Sequence, residues 1–357
     1  MWVLVLGMHR SGTSALAGVL RTAGFNFGQL DQAMPANDQN PKGFWERMDV
    51  VILNDTILKT LGCEWDRLSR YDAGAVGAAS DPAWEESIRG ILGDVGAGQV
   101  GFLKDPRLCL TLPLWLRVQP PAAIIWIMRH PLAVARSLVA RGDCSLMTGL
   151  ALWEFYNRMA GQALGDRPCL RVCFEDIQRN PENEIQRILH YLAQQGLTVP
   201  APVGDQASWY EPGMVHHEQA PEDVALVPPC VQQLWGQLSD VRGALPDLSW
   251  AEVSAFTREA LRYHDQTVRA EQDHGEQLQL KVDELRRGQR LAEWDIQQYQ
   301  QQLAALATSC QALEDSQLWR MTRMLHRAWC RLSGNPGHRT PLEHMQMILR
   351  DHKPRGG

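Results

Sequence analysis

Residues 1–14 read MWVLVLGMHRSGTS. The unbroken apolar run from Trp2 to Leu6 predicts a strand that is buried on both faces. Gly7 ends the run, a short loop follows, and the apolar spacing after Thr13 predicts a helix. In such a strand–loop–helix the backbone N–H groups and the helix dipole converge on one point, which favours the binding of an anion.

The loop has the spacing of a nucleotide-binding loop, with one decisive change. Gly7 and Gly12 are separated as in a Walker A motif, but Thr13 stands where the Walker lysine belongs. That lysine holds the β- and γ-phosphates of ATP or GTP. Arg10 supplies a positive charge from inside the loop instead. The loop therefore predicts a phosphate site in a protein that is not an NTPase.

Composition limits the remaining possibilities. The chain has 357 residues, is 45% hydrophobic and carries a net charge of −6, which argues against general nucleic-acid binding. Its eight cysteines lack metal-type spacing and predict buried thiols in a reducing compartment. The N-terminal apolar run is too short for a signal peptide, and no stretch approaches the ~18 apolar residues of a membrane span. We expect a cytoplasmic protein, with no metal site.

Strands alternate with helices over residues 1–200. After the first strand, apolar runs at 100–104, 122–128 and 169–174 predict three more strands, and helical patterns lie between them. This alternation predicts an α/β domain with a P-loop-like, doubly wound and mostly parallel sheet flanked by helices. In such a sheet the ligand site lies at the carboxyl ends of the strands.

A second anion-binding set follows the third strand. Arg129 stands at the carboxyl end of that strand, and Ser137 lies eight residues later in the next predicted helix. The guanidinium is a forked, permanently charged donor for a phosphate, and the serine adds a hydroxyl. Together with the first loop, these residues predict one ligand that carries two separate anionic groups.

The chain here resembles the sulfotransferases that use 3′-phosphoadenosine 5′-phosphosulfate (PAPS), in particular bacterial members and carbohydrate or tyrosyl-protein relatives. The segments NPKGFWE at 40–46, LKDPRL at 103–108 and FEDI at 174–177 share the resemblance, which covers about residues 1–200 in the expected order. It implies PAPS as co-substrate, no metal, and an acceptor hydroxyl on a glycan or glycolipid. It also implies two sets of donor-binding residues: Arg10, Ser11, Gly12, Thr13 and Ser14 for the 5′-phosphosulfate, and Arg129 and Ser137 for the 3′-phosphate.

Sulfuryl transfer needs a base for the acceptor hydroxyl and cations for the charge that develops on the leaving oxygen. The resemblance assigns the base to Glu46 and implies that Lys104 and Arg10 meet the leaving group. Asp105 is an alternative base, or a group that orients Lys104. Arg107 is either a structural ion-pair partner or an additional contact to the ligand.

The rest of the chain predicts an extension. Residues 201–248 are Pro-rich and predict an irregular wrap or linker, and a helical region at 249–316 follows. Apolar residues recur there in heptads over 278–313, which predicts a coiled coil in a dimer or in an intramolecular hairpin. A single helix packed on the domain is the alternative. Gln289 occupies one of the heptad positions that form the apolar seam of the coiled coil, and Gly288 lies beside it. These two residues weaken the seam, so a break is expected at that point.

Residues 317–333 predict a basic amphipathic helix, with four arginines on one face and Leu, Met and Trp side chains on the other. Such a helix either contacts the inner face of a membrane or docks on protein. We expect residues 334–357 to be a tail.

Two other functions compete with sulfuryl transfer. The first is a P-loop-type small-molecule kinase, but the Walker lysine is missing and Asp105 is the only evident Mg²⁺ carboxylate. The second is a non-catalytic scaffold presented by the coiled coil. The presence of both phosphate-binding sets, with Lys104 and Glu46, argues against that function.

Overall fold

The computed structural model describes residues 1–34, 45–205, 226–242 and 250–332. In these residues a four-stranded sheet contains β1 (Trp2–Leu6), β2 (Gly101–Lys104), β3 (Ala123–Met128) and β4 (Leu170–Cys173). The strand order is β2-β1-β3-β4, and every neighbouring pair is parallel. All four predicted strands are confirmed, and so is the parallel sheet.

Twelve helices occur in the described part of the chain. They are α1 (Thr13–Thr22), α2 (Met48–Thr60), α3 (Ala73–Ala78), α4 (Pro82–Val95), α5 (Leu108–Val118), α6 (Pro131–Arg141), α7 (Leu146–Leu164), α8 (Phe174–Arg179), α9 (Pro181–Gln194), α10 (Pro229–Ser239), α11 (Ala255–Asp315) and α12 (Gln317–Leu332).

The sheet is covered on both faces. Successive residues of a strand point to opposite faces, so Leu4 and Leu6 enter one apolar cluster with residues of α5 and α7. Val3 and Val5 enter a second cluster with residues of α1 and α9. Burial on both faces explains why β1 is a continuous apolar run rather than an alternating one.

The carboxyl ends of the strands bring several predicted site residues, together with Phe174, to one edge. The loop with Arg10 follows β1, Lys104 ends β2, Arg129 follows β3, and Phe174 follows β4. After β3 the chain turns at once into α6, because Pro131 occupies the first turn and His130 Nδ1 accepts a hydrogen bond from the backbone N–H of Leu132 at 3.2 Å.

The interval 201–248 differs from the prediction of an irregular segment. It contains α10, which buries Val231, Leu234 and Leu238 against the core. These residues form a helical stripe, and Pro229 occupies the first turn of the helix. The prolines around the stripe favoured a loop over a helix in the sequence. Residues 206–225 and 243–249 of this interval lie outside the described ranges.

The chain divides into two compact units, residues 1–269 and 270–357, and the boundary lies inside α11. The first turns of α11 belong to the first unit, where the Thr257 hydroxyl donates to Glu154 Oε2 at 2.6 Å and Asp265 accepts from the backbone N–H of Ser69 at 3.1 Å. The expected break at Gly288 and Gln289 is wrong, since α11 continues through both.

Residues 317–332 form α12, and the residues predicted to be a tail, 334–357, lie outside the described ranges. Within the described residues, no helix combines the length and the apolar character that crossing a bilayer requires.

Candidate active site

The loop after β1 has a strained but well-defined backbone. Arg10 has a φ of 66° and Gly12 a φ of 90°, both in the left-handed region. At Gly12 a Cβ atom would also collide with the Phe174 ring, so this position requires glycine for two reasons. Gly12 is the residue before α1, whose first N–H groups have no carbonyl partner within the helix. The geometry is that of an anion site at a helix N-terminus.

Residues of the two predicted anion-binding sets are in direct contact. Arg10 Nε donates a hydrogen bond to Ser137 Oγ at 2.8 Å, and Arg129 donates to the carbonyl oxygen of Arg10 at 3.3 Å. Burial lowers the pKa of both arginines, and the charge of Arg10 lowers the pKa of Arg129 further. Two partly desolvated guanidinium groups this close together favour the arrival of an anion.

Phe174 supports this pair of arginines, a role that sequence reasoning missed. The Arg129 guanidinium lies over the Phe174 ring, 4.8 Å from its centroid, in a cation–π contact. The Trp153 indole donates to the carbonyl oxygen of Arg129 at 2.9 Å and fixes the end of β3. In the sequence Phe174 was only the first residue of the FEDI segment, and no local signal indicated that it contacts both Arg129 and Gly12.

Lys104, Glu46 and Ser14 meet next to the loop. Lys104 Nζ lies 2.6 Å from Glu46 Oε1 and 3.2 Å from Ser14 Oγ. The side chain of Lys104 is fully buried and that of Glu46 is 9% exposed, so this ion pair is shielded from solvent. The structure thus brings together three residues that come from β2, α1 and the segment before α2. The first five residues of the NPKGFWE segment, 40–44, lie outside the described ranges.

Asp105 and Arg107 form a separate ion-pair cluster. Asp105 Oδ1 accepts from the backbone N–H of Arg107 at 2.7 Å and lies 3.3 Å from the guanidinium, while Arg107 Nε lies 2.6 Å from Asp55. Burial of the guanidinium opposes its charge, but the two carboxylates outweigh this effect and raise the pKa of Arg107. The geometry favours the structural interpretation of Arg107. Asp105 Oδ2 is buried and has no hydrogen-bond partner among the described residues.

His9 is a second residue that sequence reasoning did not single out. Its ring is buried, 4.7 Å from the Trp65 ring and 5.8 Å from the Tyr156 ring, and its Nε2 has no hydrogen-bond partner among the described residues. Burial lowers the pKa of His9 well below 6.5, and four cations lower it further: Arg107, Arg141, Lys104 and Arg10. His9 is therefore a neutral imidazole inside a cationic site. Its place next to Arg10 was the only signal in the sequence.

Comparison with known structures gives several similar domains. A sulfotransferase domain from the Synechococcus PCC 7002 olefin synthase is 17% identical, with 73% of this chain and 93% of that chain covered and a TM-score of 0.32. The sulfotransferase STF1 from Mycobacterium tuberculosis H37Rv is 16% identical over 66% of this chain and 75% of its own, with a TM-score of 0.34. A sulfotransferase from Alicyclobacillus acidocaldarius is 16% identical over 70% of this chain and 98% of its own, with a TM-score of 0.34.

A search of curated proteins gave no match. A family model described as "Sulfotransferase family" matches residues 3–197, which is more than half of the chain. The match extends from β1 to the residues just after α9 and so includes the loop, the four strands and every site residue described above. The chain belongs to the sulfotransferase family.

Proposed function

We propose that this sulfotransferase moves the sulfuryl group of PAPS to an acceptor hydroxyl. One observation carries the proposal: Arg10 donates a hydrogen bond to Ser137 and accepts one from Arg129, so residues of the two predicted anion-binding sets are in contact. PAPS carries two anionic groups on one ribose, the 5′-phosphosulfate and the 3′-phosphate. A donor with this charge distribution fits the site, whereas the Thr13 side chain cannot replace the lysine that a nucleoside triphosphate needs.

In this proposal the loop binds the 5′ end of the donor and α6 helps to bind its 3′-phosphate. Arg10, Ser11, Gly12, Thr13 and Ser14 supply the charge, hydroxyls and helix N-terminus for the phosphosulfate. Arg129 and Ser137 hold the 3′-phosphate. A hydroxyl has one donor and two acceptor positions, so Ser137 accepts from Arg10 and still has its own proton to donate to a phosphate oxygen.

The chemistry follows from the ion pair of Glu46 and Lys104. The acceptor hydroxyl gives its proton to Glu46, and its oxygen forms a bond to sulfur while the bond from sulfur to the 5′-phosphate oxygen breaks. The electron pair of the broken bond stays on that phosphate oxygen, where the charges of Lys104 and Arg10 stabilise it. The 2.6 Å ion pair supports this assignment, because it puts the base and the cation next to each other.

Asp105 is the alternative base. Its Oδ2 has no partner among the described residues, but its Oδ1 is held by Arg107. We favour Glu46, because Lys104 connects Glu46 to Ser14 at the start of α1 and hence to the phosphate loop.

We propose a glycan or glycolipid hydroxyl as the acceptor. The partly buried Trp65 packs beside His9 at the loop, and aromatic faces next to a hydrogen-bonding group suit a sugar ring. We also place the protein in the cytoplasm, because none of the eight cysteines, all in the described residues, forms a disulfide, as expected in a reducing compartment.

We further propose that the chain self-associates through α11. Heptad positions on this helix are exposed in the single chain, including Leu285 at 67%, Ile296 at 57% and Tyr299 at 67%. Exposed apolar residues at this heptad spacing are typical of a coiled coil with a second copy.

Calorimetric titration with 3′-phosphoadenosine 5′-phosphate (PAP), without metal, tests the donor site. We expect micromolar binding to the wild type and its loss in Arg129→Ala. ATP with Mg²⁺, titrated in parallel, tests the kinase alternative. Binding of ATP with Mg²⁺ and not of PAP would contradict the proposal, and binding of neither nucleotide would favour a scaffold.

A further inference from the structure

Helix α12 has two chemically distinct faces. At about 100° per residue, its arginines fall within one arc: Arg320, Arg323, Arg327 and Arg331. The apolar side chains fall within another arc: Leu318, Met321, Met324, Leu325, Trp329 and Leu332. Arg320 and Arg331 border the apolar arc, where their long side chains reach the height of a lipid headgroup.

The apolar face is the exposed one. All six of its large side chains are exposed, from 62% at Met321 to 88% at Leu332. The half-buried positions of α12, Trp319, Arg323 and Cys330, lie on another side of the helix. Packing within the described chain therefore uses a different side of α12 and leaves the apolar face uncovered. An apolar surface of this kind marks an interaction site.

The charge around this face has one sign. Residues 316–342 contain five arginines and no Asp or Glu. The preceding helix α11 differs, since it carries both acidic and basic residues between Arg258 and Asp295 and ends in Glu314 and Asp315. Arg320 has an ion pair with Asp315 at 3.7 Å, on an exposed surface where such a pair contributes little. The positive charge of α12 thus complements an anionic surface.

The shape of the apolar arc favours a membrane over a partner helix. The arc extends over about 140°, wider than the narrow a/d seam of a two-stranded coiled coil. The sixteen residues of α12 form a helix about 24 Å long, whereas a helix that spans a bilayer needs about 20 residues, or ~30 Å. A short helix with a wide apolar face, tryptophan on it and arginine beside it suits the plane of a membrane surface.

We propose that α12 binds the surface of a membrane rich in anionic phospholipids. The apolar face enters the boundary between headgroups and acyl chains, and the arginines contact lipid phosphates. This inference does not depend on the identity of the sulfuryl donor. It goes beyond the proposed reaction by placing the protein where glycolipid acceptors are found.

Vesicle flotation of the full chain tests the proposal. The vesicles consist of phosphatidylcholine alone or of equal parts phosphatidylcholine and phosphatidylglycerol. We expect the wild type to float with the anionic vesicles and not with the neutral ones, and added salt to weaken the binding. The double variant Leu325→Gln, Trp329→Gln should bind at least about tenfold more weakly, because it removes apolar area from the membrane-facing side.

Two further variants sharpen the test. Arg320→Gln with Arg327→Gln and Arg331→Gln should bind the anionic vesicles about a hundredfold more weakly and lose the preference for phosphatidylglycerol, since three positive charges near the anionic surface are removed. Leu280→Gln with Leu291→Gln is the matched control, because these leucines are 71% and 66% exposed on α11. This control should float like the wild type.

Several outcomes would overturn the proposal. The wild-type protein could fail to bind the anionic vesicles, or the variant Leu325→Gln, Trp329→Gln could float as the wild type does. A change in the sedimentation coefficient of the α12 variants would instead identify a second copy of the chain as the occupant of the apolar face. Titration of the same preparations with PAP keeps a failure here distinct from a failure of the proposed reaction, because α12 variants should bind PAP normally.

Discussion

Arg10 Nε donates to Ser137 Oγ at 2.8 Å, although 127 positions separate the two residues in the sequence. The contact exists because β1 and β3 are neighbours in the sheet, so the loop after one strand faces the helix after the other. A left-handed backbone at Arg10 accompanies this contact. The bond orients the guanidinium before any ligand arrives, which reduces the ordering cost of binding.

Replacing Ser137 by alanine should weaken PAP binding by about 1–2 kcal/mol, or roughly tenfold. The change removes the hydroxyl that is expected to contact the phosphate and also frees Arg10 from its partner. Calorimetry measures the affinity. Ser87→Ala is the matched control, because Ser87 is an exposed helical serine whose hydroxyl donates within α4. Equal PAP affinity of the wild type and Ser137→Ala would remove Ser137 from the donor site.

Replacing Arg129 by alanine or by lysine should weaken the binding of PAP. Arg129→Ala removes a charged phosphate donor and should weaken PAP binding by about 2–4 kcal/mol. Arg129→Lys keeps the charge but loses both the planar fork and the stacking on Phe174, so we expect an intermediate loss. Arg179→Ala, at a position that is 75% exposed, serves as the control in the same titration. A lysine variant with wild-type affinity would show that only the charge matters.

The sheet, and the meeting of Arg10 with Ser137 and Arg129 at its edge, could be predicted because each element leaves a local pattern in the sequence. β1 is a continuous apolar run, and Gly7, Arg10 and Gly12 stand at a recognisable spacing. Phe174 and His9 could not be found in this way. Their roles depend on contacts between elements far apart in the chain, such as the Phe174 ring against Gly12. Helix α10 was missed because flanking prolines obscured its short apolar stripe.

Glu46→Gln should abolish turnover and leave PAP binding intact. The glutamine side chain still offers an oxygen to Lys104 Nζ, so a hydrogen bond can replace the buried 2.6 Å ion pair. An amide, however, cannot take the proton of the acceptor hydroxyl. We expect a fall of about 10²–10⁴-fold in the rate of PAP release from PAPS in the presence of acceptor. Asp105→Asn is the companion variant. If Asp105→Asn is the inactive one and Glu46→Gln turns over normally, Asp105 is the base.

His9 should make the protein less stable in mild acid. Burial and the surrounding cations hold the pKa of His9 well below 6.5, so the folded state keeps the imidazole neutral. The unfolded chain takes up a proton as the pH falls through about 6.5, and stability is lost over that range, with no loss above it. In His9→Asn this contribution disappears. Its Tm should therefore fall less than that of the wild type between about pH 7.5 and pH 5.5.

The control for His9 is His190→Asn, which changes an exposed histidine on α9. Its loss of Tm over the same pH range should match that of the wild type. A loss in His9→Asn as large as in the wild type would show that the imidazole does not resist protonation in the folded state.

The seam of α11 predicts the oligomeric state. Leu285 and Leu306 occupy equivalent heptad positions and are 67% and 46% exposed in the single chain, so a second copy would bury them. Leu285→Asn with Leu306→Asn should raise the dimer dissociation constant at least about a hundredfold, because each leucine contributes about 1.5–3 kcal/mol when fully buried. Leu291→Asn, at an exposed position outside the seam, should not change it.

Sedimentation velocity on the full chain measures this change, and a chain without residues 272–357 should sediment as a monomer. That truncation keeps the contacts of Thr257 and Asp265 with the first unit, so its fold should persist and its PAP affinity should stay unchanged. A wild-type chain that is monomeric at all concentrations would refute the coiled-coil dimer. A truncated chain that remains dimeric would instead locate the interface on the first unit.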